Sequence, residues 1–336
     1  ILVPGASEGL PRRRLSDTQI GRLPFPTSRM VRDYATHSKG AWIHFDDPKG
    51  THHFMTSPRI LLKAWNLRPK KHLGQNFLLN QTLAEQIVDC AALEANDHVL
   101  EIGCGLGAIT IPAAKKVTRL IAVEKDQQLL DLLRSELAAQ RLSNVQLVNQ
   151  DILTLNFMDY FGSETPSAIV IGNLPYNISS QIVVHLIAAR VYINRALLML
   201  QKEMAQRLIA PPGNRDYGRL SVMLQYCADV NVVAEAPANM FYPRPKVDSQ
   251  VIKVAFKGRI PYPADDEGML SRVVKAGFSQ RRKTLRNALA GNILHADHAG
   301  VETWLGHADI DPRRRAETLA VEEFVCLANV ISGAME

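Results

Sequence analysis

Short aliphatic runs recur through the middle of the chain, at His98-Val99-Leu100-Glu101-Ile102, Arg119-Leu120-Ile121-Ala122-Val123, Val145-Gln146-Leu147-Val148-Asn149 and Ala168-Ile169-Val170-Ile171-Gly172, with helix-length stretches between them. Runs of this kind, separated by helices, form parallel strands buried on both faces. The pattern predicts an α/β fold with a doubly wound, Rossmann-like sheet. Further strands are expected at Arg195 to Gln201, around Val230 to Ala234 and at Gln250 to Phe256. Such a sheet gathers the carboxyl ends of its strands on one edge, where ligands bind.

The residues at those ends are chemically specific. The first run leads into Gly103-Cys104-Gly105-Leu106-Gly107 and then an apolar helix from about Ala108 to Lys116. Glycines let backbone approach a ligand closely, and a helix start presents free N–H groups. The spacing is G-x-G-x-G, whereas the dinucleotide fingerprint is G-x-G-x-x-G. This disfavours a pyrophosphate cradle, and a nicotinamide dehydrogenase with it. Alone, the turn speaks equally for a nucleotide-like ligand and for a plain tight turn. Glu124 follows the second strand and can take both hydroxyls of a ribose; its bland alternative is a helix-start acid beside Asp126. Asp151 follows the third strand. It can accept from an adenine amino group, or be an ordinary loop aspartate.

The fourth strand ends in Asn173-Leu174-Pro175-Tyr176. An exocyclic amine on a nucleobase is a poor nucleophile because its lone pair is delocalised into the ring. The Asn173 amide oxygen and the Leu174 carbonyl can each accept one of its N–H groups, aiming the lone pair at an electrophile. Pro175 fixes the turn, and Tyr176 offers a stacking face worth about 1–3 kcal/mol per base. Ser179 is then placed to cap the next helix. A lone Asn-x-Pro-Tyr string recurs by chance, so its weight rests on the glycine turn and acids before it.

Composition bounds the partners. The 336 residues are 46% hydrophobic with a net charge of +6, enough for a sizeable core and a mild basic bias. Residues 1–54 carry eight Lys/Arg against five Asp/Glu, and residues 259–336 carry ten against eleven, so any nucleic-acid contact must rest on local clusters. Residues 1–54 show no sustained apolar period and are expected to be a disordered or over-translated extension before Met55. Residues 55–258 form the predicted α/β domain, and residues 259–336 a helical one. The four cysteines are widely spaced with no metal-binding pattern, which points to reduced thiols in the cytoplasm and no metal. No apolar run approaches the ~18 residues of a membrane span.

Three further clusters stand out. Arg68-Pro69-Lys70-Lys71 precedes Gly74-Gln75-Asn76-Phe77-Leu78, expected as a loop, and reads as a solvated arm or as a phosphate contact. Phe241, in the stiff Phe241-Tyr242-Pro243-Arg244-Pro245 loop, would complete an aromatic clamp opposite Tyr176 for an extruded base, or simply pack the loop. Arg281-Arg282-Lys283 is read as a helical charge run that is either solvated or bound to phosphate.

Together, Gly74-Gln75-Asn76-Phe77-Leu78, Glu101 to Gly107, Gly172-Asn173-Leu174-Pro175-Tyr176-Asn177-Ile178-Ser179, Leu200-Gln201-Lys202-Glu203, Tyr217-Gly218-Arg219-Leu220-Ser221-Val222, Pro243-Arg244-Pro245-Lys246-Val247-Asp248-Ser249 and Phe278-Ser279-Gln280-Arg281-Arg282-Lys283-Thr284-Leu285 resemble the KsgA family. The motifs stand in the family's order from about Arg68 to Leu327. The resemblance implies a class I methyltransferase sheet with a small C-terminal helical domain. It also implies an S-adenosylmethionine-dependent enzyme that dimethylates N6 of two adjacent adenosines in the 3′-terminal hairpin of 16S rRNA, met within a pre-assembled small ribosomal particle; the chain is expected to be a monomer.

By the same resemblance, Asn76, Leu78, Gly103, Glu124, Asp151 and Asn173 contact the cofactor, with Gly105 in the same turn. The target adenine sits at Asn173 to Tyr176, and the region of Arg281, Arg282 and Lys283 meets rRNA. Two other readings share the fold. One is a large-subunit rRNA adenine methyltransferase, against which stand Leu174, Asn177 and the Pro243 to Ser249 stretch. The other is a non-catalytic assembly or nucleic-acid-binding factor, against which stand the intact Glu124, Asp151 and Asn173.

Overall fold

The computed structural model describes residues 57–162, 168–291 and 296–335. The extension expected over residues 1–54 lies outside them. The strands are β1 (Phe77–Leu78), β2 (His98–Ile102), β3 (Leu120–Glu124), β4 (Val145–Asn149), β5 (Ala168–Asn173), β6 (Ile193–Gln201), β7 (Ala228–Ala236), β8 (Phe241–Tyr242) and β9 (Ser249–Phe256). Seven of them form one sheet in the order β4-β3-β2-β5-β6-β9-β7, parallel from β4 to β6, with β9 antiparallel to both neighbours. The doubly wound sheet expected from the aliphatic runs is present. Its switch in strand order falls beside β2, whose carboxyl end carries the glycine turn.

The unalternating composition of the central strands has a direct cause. Ala168 and Val170 of β5 pack into one core layer with Leu100 and Ile102, while Ile169 and Ile171 pack into the opposite layer with Val99. Neighbouring side chains of a strand point to opposite faces, so a strand covered on both sides must be apolar at every position. Gly172 ends the run because β2 and β5 approach closely there. A Cβ on Gly172 would lie 2.6 Å from the Ile102 carbonyl oxygen, and no side-chain adjustment relieves a backbone contact.

The C-terminal part is helical, as expected, with helices Glu267–Gly277, Leu285–Leu289, His298–His307 and Val321–Met335. Its buried cluster includes Leu270, Val274, Leu305, Phe324 and Leu327, and also takes Tyr217, Val222, Tyr226 and Cys227 from before residue 258. Apolar packing therefore runs across the predicted boundary. Arg190 adds a fork of 2.6 and 2.7 Å bonds to Glu267, but both side chains keep enough solvent contact for the pair to contribute little on its own. Among the described residues, no helix is long and apolar enough to cross a membrane.

Three local expectations are corrected. Phe77 and Leu78 form β1, paired antiparallel with β8 in a small separate sheet, where a loop was expected. Ser179 does not cap its helix, because its hydroxyl turns back to the Tyr176 carbonyl at 3.2 Å. Arg281, Arg282 and Lys283 do not lie on a continuous helix. They occupy a turn between the short 3-10 helix Phe278–Gln280 and the helix Leu285–Leu289.

Candidate active site

A cavity opens at the carboxyl ends of β2 to β5, lined by residues 72–78, the glycine turn, Glu124, Asp151 and residues 173–178. The strand ends singled out from sequence, namely Gly103, Gly105, Glu124, Asp151 and Asn173 to Tyr176, therefore converge on one space, together with Asn76 and Leu78.

The glycine turn keeps its side open by adopting left-handed backbone, with φ of +69° at Gly103 and +51° at Gly105, a region side chains rarely enter. Glu124 reaches back over it. Its Oε2 accepts from the Gly105 N–H at 3.2 Å and its Oε1 from the Asp126 N–H at 2.9 Å. Burial pushes the Glu124 carboxyl above its usual range, and those backbone N–H groups pull it partly back. Asp151 behaves oppositely. Lys125 at 2.8 Å holds it below the ordinary range, and the Leu153 N–H binds its other oxygen at 3.0 Å.

Two further groups, Glu101 at the end of β2 and Cys104 in the turn, were not singled out from sequence as functional. Glu101 is buried, its Oε2 has no hydrogen-bond partner among the described residues, and burial with the nearby Glu124 charge raises it to about 8. It is therefore largely neutral at neutral pH. Cys104 is also buried, and loss of solvent pushes its thiol well above the usual range, so the turn carries no reactive thiolate.

Asn173 has the most informative geometry. Its Nδ2 donates to the Asn76 main-chain carbonyl at 2.8 Å. A carbonyl can only accept, so the amide must present its nitrogen there and leave Oδ1 as an acceptor; among the described residues no donor takes Oδ1. The Leu174 N–H is tied to the Met199 carbonyl at 3.0 Å and its side chain is buried, which fixes the carbonyl that follows. The Tyr176 hydroxyl lies 2.7 Å from Ser249 Oγ, and burial raises the phenol above its usual range. Two acceptors and a restrained ring thus stand side by side, which can bind and orient an aromatic amine.

Phe241 does not complete the expected clamp. It is 1% exposed, paired through β8 with Leu78, and packed in the core beneath the cavity. Arg281, Arg282 and Lys283 do not line the cavity either. Arg281 is 3.2 Å from Glu317 and 3.5 Å from the Tyr217 carbonyl. Nor is Lys70 a free phosphate contact: its Nζ lies 2.8 Å from the buried Asp126.

Comparison with known proteins adds independent findings. The family model described as "Ribosomal RNA adenine dimethylase" matches residues 66–332. A "Ribosomal RNA small subunit methyltransferase A" from Desulforapulum autotrophicum is 51% identical over 277 residues, covering 82% of this chain and 97% of that protein. Among solved structures, a dimethyladenosine transferase from Plasmodium falciparum superposes with a TM-score of 0.65 at 24% identity, covering 75% of this chain and 95% of that one. The 23S rRNA methyltransferase ErmE gives 0.58 at 24% identity, covering 76% and 99%. At such identities these two structures speak for the fold alone.

Proposed function

The chain belongs to the ribosomal RNA adenine dimethylase family, and on that premise we propose that it transfers methyl groups from S-adenosylmethionine to N6 of two adjacent adenosines in the 3′-terminal hairpin of 16S rRNA, giving N6,N6-dimethyladenosines. The observation that carries the reading is the Asn173 amide, held by the Asn76 carbonyl so that its oxygen is left to accept, beside the glycine turn.

The residues fit S-adenosylmethionine. The left-handed turn leaves room for backbone to approach a nucleoside, and Glu124 and Asp151 are carboxylates at the ends of neighbouring strands. Glu124 would hold the ribose hydroxyls, Asp151 the adenine amine, and Asn76, Leu78, Gly103, Gly105 and Asn173 the rest of the cofactor. When bound, the cofactor supplies an activated methyl group, so the protein contributes position more than an acid or base. Asn173 Oδ1 and the Leu174 carbonyl accept the two N–H groups of the target amine, Pro175 keeps that carbonyl rigid, and Tyr176 stacks on the base. After the first methylation one N–H remains, so only one acceptor can be satisfied in the second round.

Glu124 makes this testable through pH. Hydrogen bonds to an ionised group contribute about 1.5–3 kcal/mol, so Glu124→Ala should weaken S-adenosylmethionine about ten- to a hundredfold. Because the folded carboxyl is raised, wild-type affinity should hold while Glu124 is ionised and fall as pH drops through that raised value, earlier than for an ordinary glutamate. Titration calorimetry from neutral pH downward checks this. A flat profile, or a Glu124→Ala protein that binds normally, contradicts the ribose role.

The rRNA contact is proposed to extend to Arg281, Arg282 and Lys283. Neutralising all three should flatten the dependence of log affinity on log salt by ~0.7–0.9 for each phosphate that these cations neutralise in the wild type. Arg282 and Lys283 should account for most of it, since Arg281 is already compensated by Glu317. An unchanged slope identifies a solvated turn.

The enzyme is proposed to act as a monomer in the cytoplasm, on assembled small-subunit particles. Labelled methyl transfer should therefore be efficient on small subunits lacking the modification and poor on free 16S rRNA or on large-subunit RNA. Equal labelling of free 16S rRNA refutes the particle requirement, and label on large-subunit RNA alone refutes the substrate. Particle binding with no transfer supports the non-catalytic assembly factor instead.

A further inference from the structure

Asp126 has no role in the chemistry above, yet it is 5% exposed and engages both of its oxygens. Oδ1 accepts from Lys70 Nζ at 2.8 Å and from the Gln128 N–H at 3.2 Å, which caps the helix Gln127–Ala139. Oδ2 accepts from Gln75 Nε2 at 2.8 Å. Gln75 closes the ring by accepting the Lys70 N–H through Oε1 at 2.8 Å. A helix cap needs one oxygen and one N–H. The remaining bonds all go to a segment more than fifty positions away in the chain.

That segment, residues 70–78, lines the cavity from His72 onward. Through Lys70 and Gln75 it is tied to Asp126, beside Glu124, whose carboxylate accepts the Asp126 N–H at 2.9 Å. Through positions 72 and 76 it meets the target side: the Asn76 carbonyl takes Asn173 Nδ2 at 2.8 Å, and the His72 carbonyl takes Asn177 Nδ2 at 3.1 Å. The bonds form an unbroken path from the glutamate assigned to the ribose to the amide assigned to the amine.

We propose that Asp126 is a positioning residue, a latch that holds the 70–78 strap along the cavity and, through the Asn76 carbonyl, sets the orientation of Asn173. The inference rests on the reading of this cavity as the cofactor and adenine site. It accounts for Lys70 and Gln75, neither of which reaches a reacting atom. Buried charge is retained only where both partners are satisfied, and here a carboxylate, an ammonium and an amide satisfy one another. Opening the strap would free the Asn76 carbonyl and leave the Asn173 amide able to rotate, turning an acceptor into a donor facing the substrate amine.

The test uses full-chain Asp126→Asn, Gln75→Ala and the double variant. Asparagine still caps a helix, so the first removes the charge and keeps the cap. Hydrogen exchange is measured without cofactor over residues 70–78 and, as an internal control, over the helix Gln127–Ala139. Exchange of the strap should rise about tenfold in each single variant and no further in the double, with the helix unchanged. In transfer assays kcat should fall about ten- to a hundredfold with a much smaller change in KM for S-adenosylmethionine.

The proposal is overturned if strap exchange is unchanged in both single variants. It is equally overturned if kcat is retained while the strap loosens, or if the helix loosens as much as the strap. Failure of the functional reading looks different: an inactive wild type whose strap still loosens in both variants refutes methyl transfer and upholds the latch.

Discussion

Replacing Asn173 with alanine is expected to lower methyl transfer by about a thousandfold, in a protein that still folds. The side chain contributes the acceptor that orients the amine. The cost to the fold is small. Asn173 is only half-buried, and its loss leaves the Asn76 carbonyl without this donor, about 1 kcal/mol for a neutral bond. Single-turnover transfer at saturating cofactor and substrate, beside a thermal melt, separates the two effects. Normal transfer in a folded Asn173→Ala protein would remove the residue from the mechanism. A collapse of the melting temperature would show that its role is structural.

The second large effect concerns stability. Glu101 titrates near 4.5 in an unfolded chain and is raised to about 8 by burial in the native one. Between those values the native state binds a proton that the unfolded state does not, so stability falls as pH rises. The stability present below pH 4.5 should be lost progressively until pH passes about 8, by up to ~5 kcal/mol at 1.36 kcal/mol per pKa unit. Glu124 is raised too and adds loss in the same direction, so the comparison is with Glu101→Gln, which retains Glu124. The wild type minus variant difference in urea unfolding free energy should decline across that window. A constant difference would mean that Glu101 is ionised when folded, with a partner for its charge.

What could be read from sequence, and what could not, follows from the range of the interactions. Gly103, Glu124, Asp151 and Asn173 were legible because each stands at or just past the carboxyl end of a strand, and a parallel sheet brings strand ends together whatever the details of its packing. Asn76 and Leu78 were placed by resemblance alone; two residues of strand carry no periodicity, so β1 itself was not foreseen. Phe241 failed for the same reason. Whether Phe241 or Tyr242 faces the core depends on the register Leu78↔Phe241, which is set by contact with a distant segment.

The Lys70 to Asp126 bond is another such case. Asp126 was readable as a helix start, and it is one, but its bonds to Lys70 and Gln75 are not local. The same distinction explains the basic run at Arg281 to Lys283. Composition located it, whereas the turn that interrupts the helix and the partnership with Glu317 are tertiary facts.

Methylation of small-subunit adenosines in the cavity at the strand ends is measured by incubating the wild-type chain with small subunits lacking the modification and S-adenosylmethionine, then sequencing the modified nucleosides of the rRNA by mass spectrometry. The predicted result is N6,N6-dimethyladenosine at two adjacent positions of the 3′-terminal hairpin, absent when Asn173→Ala is used. Unmodified adenosines in that hairpin, after incubation with a folded wild-type protein that binds both cofactor and particle, would contradict it.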